Sequence, residues 1–258
     1  MVKKVVCIVQ ARYTSTRLPG KVFLNLAGKP VIEQIFNQLS YSKRINQSVL
    51  ATSELSSDDK LEVWAKSKNI EYYRGSLDDV LDRFYFTAKS FNADIVVRIT
   101  GDCPLIDPEV VDDVISLFLK DNYDYTSNIN PPTFPDGLDT EVFKFSVLEE
   151  TWKNAKLKSE REHVTPYVRK HNEKFKIGNF ENKINLSHYR WTLDNEEDHE
   201  LISRIYEKLY KENNYIKMEE VLELIKNNIN LQNINSHIRR NEGYDKSIKN
   251  DKLTINKN

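Results

Sequence analysis

The chain has 258 residues, of which 38 are lysine or arginine and 39 are aspartate or glutamate, giving a formal net charge of −1. This length suits one α/β domain with a small appendage. The charge balance excludes a global field that would attract nucleic acid or an anionic membrane. No apolar stretch has spanning length, and the opening Met-Val-Lys-Lys runs into a strand instead of a signal-peptide core. The two cysteines, Cys7 and Cys103, predict no disulfide and favour a cytoplasmic protein.

A continuous apolar run over residues 5–9 predicts a buried central strand. The loop that follows, residues 10–21, is small and hydroxylic and ends in a Pro-Gly turn before its last residue. Pro30 then opens a segment with helical apolar spacing over residues 31–39. Strand, cationic loop and helix in this order predict a phosphate site at the carboxyl end of a parallel sheet. The alternative is a solvated basic turn, and neither the Walker nor the dinucleotide glycine pattern is present. The loop contains three cations, Arg12, Arg17 and Lys21.

Strands and helices alternate through the first half of the chain, which predicts a largely parallel sheet covered on both faces. Strands are predicted over 48–53, 70–73 and 94–100, and helices over 58–67, 77–91 and 108–119. A proline-rich loop is predicted over 128–137. Later strands are predicted over 141–145, 175–180 and 189–193, and later helices over 146–156, 197–210 and 218–226. We therefore predict a domain over 1–217, and a C-terminal helix with a partly disordered polar tail over 218–258, the last dozen residues being disordered.

Four stretches of the chain carry a family resemblance: Ala11-Arg12 with Ser15-Thr16-Arg17-Leu18-Pro19-Gly20-Lys21, then residues 74–83, residues 98–106 and residues 161–167. These stretches resemble the sugar cytidylyltransferases, and most closely the spore coat polysaccharide biosynthesis protein F family. The sialic acid and KDO activating enzymes are more distant. The stretches occur in the family's order, and the resemblance covers residues 1 to about 210. One departure is Thr14, where the family more often has glycine.

The resemblance implies a mixed, mostly parallel α/β sheet of the nucleotide-diphospho-sugar transferase type, a Rossmann-like three-layer fold. It implies a magnesium-dependent transfer of CMP from CTP to a sugar acceptor with release of pyrophosphate, for surface polysaccharide biosynthesis. The implied acceptor is an acidic, nonulosonic-type sugar or a sugar or alditol phosphate. Its identity, the strictness of cytosine selection and the oligomeric state stay open, although a homodimer is common for such folds. No nucleic acid or membrane partner is expected.

Two aspartates are the predicted magnesium ligands. Asp102 follows a buried strand, so its carboxylate is well placed to hold magnesium against a triphosphate, with a turn or cap residue as the alternative. The resemblance identifies it with the family's Gly-Asp-x-Pro ligand and suggests Asp194 as the second ligand. Asp194 is alternatively the N-cap of the next helix, with Glu197 in capping-box spacing. Asp198 is interpreted as a first-turn acid favoured by the helix dipole.

The resemblance implies catalytic roles for Arg17, Lys21 and Asp102. Arg74 is preferred over Arg83 for a nucleotide contact, because Arg83 and Asp79 stand at the spacing of a helical surface ion pair. Thr100 stands where more distant relatives use glutamine, so base choice is less secure than triphosphate binding. The full set of predicted nucleotide-binding residues is Gln10, Ala11, Arg12, Ser15, Thr16, Arg74 and Thr100.

Carboxylates suit an acceptor rich in hydroxyl groups, because hydroxyls donate to them. Arg161 suits a carboxylate or phosphate on the acceptor. His163 is either a general base, an acceptor-binding group or a structural histidine. Residues 240–244 are either a cap over the site or a dimer contact. The predicted acceptor-binding residues are Asp136, Asp139, Glu141, Arg161, Glu162 and His163.

Two rival functions stay open at this stage. A glycosyltransferase of similar fold would consume a nucleotide sugar, but such enzymes often carry Asp-x-Asp at the metal, and this chain has Gly101-Asp102-Cys103. A non-catalytic nucleotide-binding protein is the other rival, and the retained cationic loop and aspartates count against it.

Overall fold

The computed structural model describes residues 3–15, 17–240 and 242–255, so Thr16, a predicted nucleotide-binding residue, lies outside the described residues. No helix in these ranges is long and apolar enough to cross a membrane.

The strands are β1 (Val5–Gln10), β2 (Asn25–Leu26), β3 (Lys29–Pro30), β4 (Gln47–Ser53), β5 (Glu71–Gly75), β6 (Ile95–Thr100), β7 (Tyr125–Ser127), β8 (Glu141–Lys144) and β9 (Ile177–Asn179). The helices are α1 (Val31–Leu39), α2 (Asp59–Ser67), α3 (Val80–Ser90), α4 (Pro108–Lys120), α5 (Phe145–Asn154), α6 (Lys158–His163), α7 (Pro166–Lys170), α8 (Glu196–Leu209), α9 (Met218–Lys226), α10 (Ile229–Asn233) and α11 (Glu242–Ile255).

Seven strands form one mixed sheet in the order β5-β4-β1-β6-β8-β7-β9. The first four strands of this order are parallel to one another, whereas β8 runs antiparallel to both β6 and β7. The remaining pair, β7 and β9, is parallel. The predicted mixed, mostly parallel sheet flanked by helices is confirmed.

The central strand β1 is buried on both faces, as its continuous apolar run predicts. Its side chains alternate: Cys7 and Val9 join a core with α1, α4 and α8, while Val6 and Ile8 join a core with α3 and α5. Cys7 and Cys103 are both free and buried, as expected. Two layers of helices therefore enclose the sheet and leave the carboxyl ends of β1 and β6 side by side.

The strand predicted over 189–193 is wrong. Arg190 forms only an isolated bridge with Asp136. The segment leaves the sheet because the Leu193 N–H donates to the Asp102 carbonyl at 2.8 Å, at the end of β6, and not to a neighbouring strand. The late segment is thereby docked against the loop that follows β6.

The C-terminal residues also differ from the sequence expectation. The helix predicted over 218–226 is confirmed with the same bounds as α9, and its Val221 and Ile225 join the core. Disorder was predicted for the last dozen residues, but α11 extends through Ile255. The division of the chain at residue 217 stays a prediction.

Gly137 adopts φ +111 in the loop that carries the predicted acceptor carboxylates. A Cβ there would lie 2.6 Å from the Trp191 carbonyl carbon and 2.7 Å from the Thr192 nitrogen. Both neighbours are backbone atoms that cannot rotate away, so only glycine allows the two segments to pack this closely.

Gly137→Ala should destabilise the fold by about 2–4 kcal/mol, because it adds a steric clash to an unfavourable backbone conformation. Gly28→Ala is the matched control: Gly28 has φ +85, but nothing lies within 4 Å of the added Cβ. Gly28→Ala should lower the free energy of unfolding by only about 1–2 kcal/mol, the cost of the left-handed backbone conformation alone. Urea unfolding of both variants measures the difference, and equal losses would contradict the close packing at Gly137.

Candidate active site

The loop after β1 is held in place by a buried carboxylate. The Tyr13 N–H donates to Asp58 Oδ1 at 2.7 Å, and the Gly20 N–H returns to the Tyr13 carbonyl at 2.9 Å. Asp58 is fully buried and also accepts from the Thr52 and Ser53 hydroxyl groups. Sequence reasoning placed Asp58 only near a helix start, and nothing in its local pattern reveals that it anchors the cationic loop.

Lys21 lies at the centre of the site. Its Nζ donates to Asp194 Oδ1 and the Leu193 carbonyl, both at 2.8 Å, and to Asp102 Oδ2 at 3.2 Å. Arg17 contacts the other oxygen of Asp194 at 2.8 Å. The three predicted catalytic residues and the second predicted metal ligand are therefore brought together.

Charge pairing keeps Asp102 ionised in spite of its burial. Burial raises the pKa of its carboxyl, but the Lys21 ammonium and hydrogen bonds from Thr100, Lys21 and Cys103 outweigh burial and lower that pKa to about 2. The Thr100 hydroxyl donates to Asp102 Oδ1 at 2.5 Å. Burial opposes the charge of Lys21, yet Asp102 and Asp194 raise the pKa of its ammonium overall. The ion pair thus stays charged near neutral pH.

Asp194 is not the N-cap of α8, so the alternative interpretation of this residue is wrong. The cap is Asn195, and the backbone N–H groups of Asp194 and Asn195 both donate to Asp198 Oδ2, at 2.9 and 3.0 Å. Asp198 is fully buried and also accepts from Arg190 at 2.9 and 3.0 Å. Asp198 therefore has a larger structural role than a first-turn acid, and the Asp194 carboxylate faces the site.

A cleft of about 260 Å³ opens beside these residues and contains most of the predicted acceptor side. Three of the predicted acceptor carboxylates line the cleft, and each has an arginine partner: Arg98 for Glu141, Arg240 for Asp139 and Arg190 for Asp136. His163 also lines the cleft. The quoted stretches contain Arg98 and Thr165, and the predicted strand 189–193 contains Arg190, but the sequence assigned none of the three a site role. Arg169 was missed.

Three predicted site residues are held elsewhere. Arg74 donates to the Ser53 and Leu55 carbonyls and pairs with Asp59 and Glu62. The structure therefore does not bring Arg74 to the cleft, and its nucleotide contact stays a prediction. Arg83 is also buried outside the cleft.

Arg161 and Glu162 likewise do not line the cleft. Arg161 forms a bidentate ion pair with Asp79 through Nε and Nη2, at 2.9 and 2.5 Å to Oδ2. Glu162 accepts from the Ser247 hydroxyl at 3.0 Å. Their acceptor contacts stay predictions.

The remaining nucleotide-side predictions lie at the ends of β1 and β6 or in the loop. Gln10 pairs with Thr100 in the sheet register and accepts from Arg98 at 3.1 Å. Ala11 is buried and its N–H donates to the Ala51 carbonyl at 3.1 Å. Arg12 is exposed on the loop, and Ser15 accepts from the Leu18 N–H at 3.4 Å.

The two aspartates form a suitable, incomplete set of ligands for a divalent cation. Within the described ranges, no group of three or more His, Cys, Asp and Glu side chains could hold a metal ion. Two carboxylates nevertheless converge on one cationic atom, Lys21 Nζ. Magnesium is commonly bound by one or two carboxylates together with phosphate oxygens, so this donor set fits it.

Comparison with known proteins identifies the family. A sequence model of the family described as Cytidylyltransferase matches residues 6–236. The chain belongs to the cytidylyltransferase family. The match contains all four motifs, both aspartates and the cleft residues from Arg17 to Asp194.

Three similar proteins support this assignment. The spore coat polysaccharide biosynthesis protein SpsF of Bacillus subtilis is 33% identical over 208 residues, covering 78% of this chain and 85% of that protein. The 3-deoxy-manno-octulosonate cytidylyltransferase of Trichlorobacter lovleyi is 34% identical over 119 residues, 45% of each chain. The structure of a cytidylyltransferase from Leptospira borgpetersenii superposes with a TM-score of 0.85 at 36% identity, covering 90% of this chain and 98% of that one. The resemblance found in the sequence is confirmed.

Asp136 should make the stability of the fold depend on pH. Burial, aided by the charge of Asp139, raises the pKa of its carboxyl to about 7, against the opposing effect of Arg240 and Arg190. The proton that Asp136 keeps in the folded state makes its full contribution to stability below about pH 4, the pKa of an aspartate in the unfolded chain. This contribution decreases as the pH rises and is lost above about pH 7.

Wild type should therefore lose unfolding free energy relative to Asp136→Asn as the pH rises from about 4 to about 7, by at most about 1.4 kcal/mol per pH unit. Urea unfolding of both proteins across this interval measures the difference. A difference that stays constant with pH would show that Asp136 is already ionised in the fold.

Proposed function

We propose that this chain transfers CMP from CTP to a sugar acceptor and releases pyrophosphate, in the cytoplasm, for surface polysaccharide biosynthesis. The observation that carries the proposal is the Lys21 ammonium held between Asp102 and Asp194, with Arg17 alongside, in a member of the cytidylyltransferase family. The names of the relatives support a sugar acceptor and a polysaccharide pathway.

In the proposed reaction, an acceptor hydroxyl releases its proton to solvent water and its oxygen attacks the α-phosphorus of CTP. The bond from that phosphorus to the bridging oxygen breaks, and pyrophosphate leaves. Negative charge gathers on the leaving group, where Arg12, Arg17 and Lys21 stabilise it. Because Arg17 and Lys21 are already oriented by Asp194, little reorganisation is needed as this charge develops.

We further propose that the enzyme depends on magnesium, held by Asp102 and Asp194. When bound, magnesium offsets the charge of triphosphate oxygens and lowers the pKa of a hydroxyl near it. The lowered pKa of Asp102 supports an ionised oxygen ligand at neutral pH: burial opposes the shift, and the Lys21 ammonium outweighs burial. The Thr100 hydroxyl orients Asp102.

The proposed acceptor is an acidic, nonulosonic-type sugar or a sugar or alditol phosphate. Asp136, Asp139 and Glu141 line the cleft, where their carboxylates would accept hydrogen bonds from the hydroxyl groups of a sugar. Four of the arginines that line the same cleft, Arg98, Arg169, Arg190 and Arg240, favour an acceptor that carries an anionic group.

CTP should raise the melting temperature of wild type, and magnesium should increase that shift, because both are expected to bind the native state. Asp102→Asn should lose the magnesium-dependent part. The matched control is Asp121→Asn, which removes an exposed carboxylate outside the cleft. UTP, ATP and GTP test base selection in the same thermal-shift assay. No shift with any triphosphate would contradict nucleotide binding at this site.

Arg17→Ala should lower turnover by roughly a hundredfold or more, the usual loss when a transition-state donor is removed. Pyrophosphate release from CTP measures turnover across a panel of sugar acceptors. Arg204→Ala is the control, since Arg204 pairs with Glu200 within α8 and is half exposed. Near-normal turnover in Arg17→Ala would show that the cationic loop has been assigned wrongly. CTP binding by wild type without turnover on any acceptor would favour a non-catalytic protein.

A further inference from the structure

The acceptor end of the cleft is walled by a part of the chain that the family match does not include. The match ends at residue 236, whereas Arg240, Glu242, Gly243 and Tyr244 all line the cleft. Together with Ser247, these residues are named the C-terminal wall. All of these residues except Arg240 lie in α11, which packs on α6, the helix that ends at His163.

The start of the wall is tied to both sides of the cleft. Arg240 pairs with Asp139 at 2.5 Å and donates to the Phe134 carbonyl at 3.2 Å, on the acceptor side. Glu242 lies 3.6 Å from Arg17, on the phosphate side. The wall therefore spans the opening between the two predicted substrates.

Tyr244 lines the cleft beside His163 and Arg169. Its ring meets the His163 ring edge-on, with centroids 5.0 Å apart, and the Arg169 guanidinium lies 5.4 Å from its centroid. Ser247 adds a contact of 3.1 Å to His163 Nε2. Further along α11, the Asp251 carboxylate accepts from the Ser159 N–H at 3.2 Å. These contacts hold the Tyr244 ring at a fixed place in the cleft.

Arg169 is the cleft arginine without a carboxylate of its own. Among the residues that the structure describes, no carboxylate lies within salt-bridge distance of its guanidinium, and its buried Nε has no hydrogen-bond partner. The nearby Glu141 carboxylate already pairs with Arg98 and accepts hydrogen bonds from the hydroxyl groups of Tyr125 and Thr165. Burial opposes the charge of Arg169, but Tyr125 and Glu141 outweigh burial and raise the pKa of the guanidinium. Arg169 is therefore charged, and its unpartnered Nε leaves a hydrogen-bond donor that an incoming anion could accept from.

We propose that the C-terminal wall forms part of the acceptor site, and that Arg169, held beneath Tyr244, binds an anionic group of the acceptor, a carboxylate or a phosphate. This inference rests on the proposed function. The wall would then determine which acceptor is used, while CTP binding depends on the loop after β1 and on Asp102. The Tyr244 ring supplies a flat apolar surface for the sugar and shields the ion pair from water.

The test compares KM for acceptor and for CTP in wild type, Arg169→Gln and Tyr244→Ala. The acceptor probes are 3-deoxy-manno-octulosonate and N-acetylneuraminate as carboxylates, an alditol phosphate, and N-acetylmannosamine as a neutral sugar. Both variants should raise KM for the anionic acceptor by about tenfold or more and leave KM for CTP unchanged. The preferred probe distinguishes a carboxylate from a phosphate.

Conservative variants separate a binding role from a merely structural one. Tyr244→Phe keeps the aromatic ring and should retain most of the acceptor affinity. Arg169→Lys keeps the positive charge but loses the bidentate geometry of the guanidinium, so it should retain only part of that affinity. Lys249→Ala is the control, because Lys249 is exposed on α11. Melting temperatures of all variants identify any that fail to fold, and those are replaced in the comparison by the conservative variant at the same position.

Three results would overturn the inference. They are an unchanged acceptor KM in both variants, turnover of the neutral sugar as efficient as that of the acids, and no binding of any anionic probe to CTP-loaded wild type in a thermal-shift titration. Failure of the proposed function would give a different result: wild type would neither bind CTP nor release pyrophosphate. In that case the C-terminal wall would also lose its proposed role.

Discussion

One ammonium group, Lys21 Nζ, holds the site together. It connects the loop after β1 to Asp102 at the end of β6 and to Leu193 and Asp194 from a segment more than 170 residues later in the sequence. Two carboxylates brought this close without a cation would repel each other strongly in a partly buried place. The Leu193 N–H bond to the Asp102 carbonyl reinforces the junction. The geometry of the cleft depends on this junction.

The parallel half of the fold is readable from sequence because each element carries its own periodic signal. Predicted bounds for the strands and helices up to Lys120 lie within three residues of the observed ones. Later strands are short, and β7 has only three residues, too few for a pattern. The segment 189–193 looks like a strand by composition, but its backbone bonds go to a loop, and only tertiary packing decides that. The composition of α11 resembles that of a disordered tail, although it docks on α6.

For the candidate site, sequence identifies residues that follow strands, since carboxyl ends of parallel strands meet at one edge. Lys21 and Asp102 were found in this way, whereas Asp194 follows no strand in the structure and was suggested by the resemblance. Arginines were harder to assign, because their roles depend on which carboxylate reaches them first. Arg161 is paired with Asp79, while Arg169, eight residues later in the sequence, faces the cleft. No local pattern distinguishes the two.

The pairing of charges inside the cleft affects how substrates arrive. Arg17, Arg98, Arg190 and Arg240 each already contact a carboxylate, and the whole chain carries a formal charge of only −1. Such a cleft projects little field into solvent, so it cannot steer an anion over long distances as an uncompensated cationic groove does. An incoming triphosphate must instead exchange partners with groups already in contact, whereas Arg169 can receive the anionic group of an acceptor without such an exchange. Association of the triphosphate should therefore be slow relative to diffusion and respond only weakly to ionic strength.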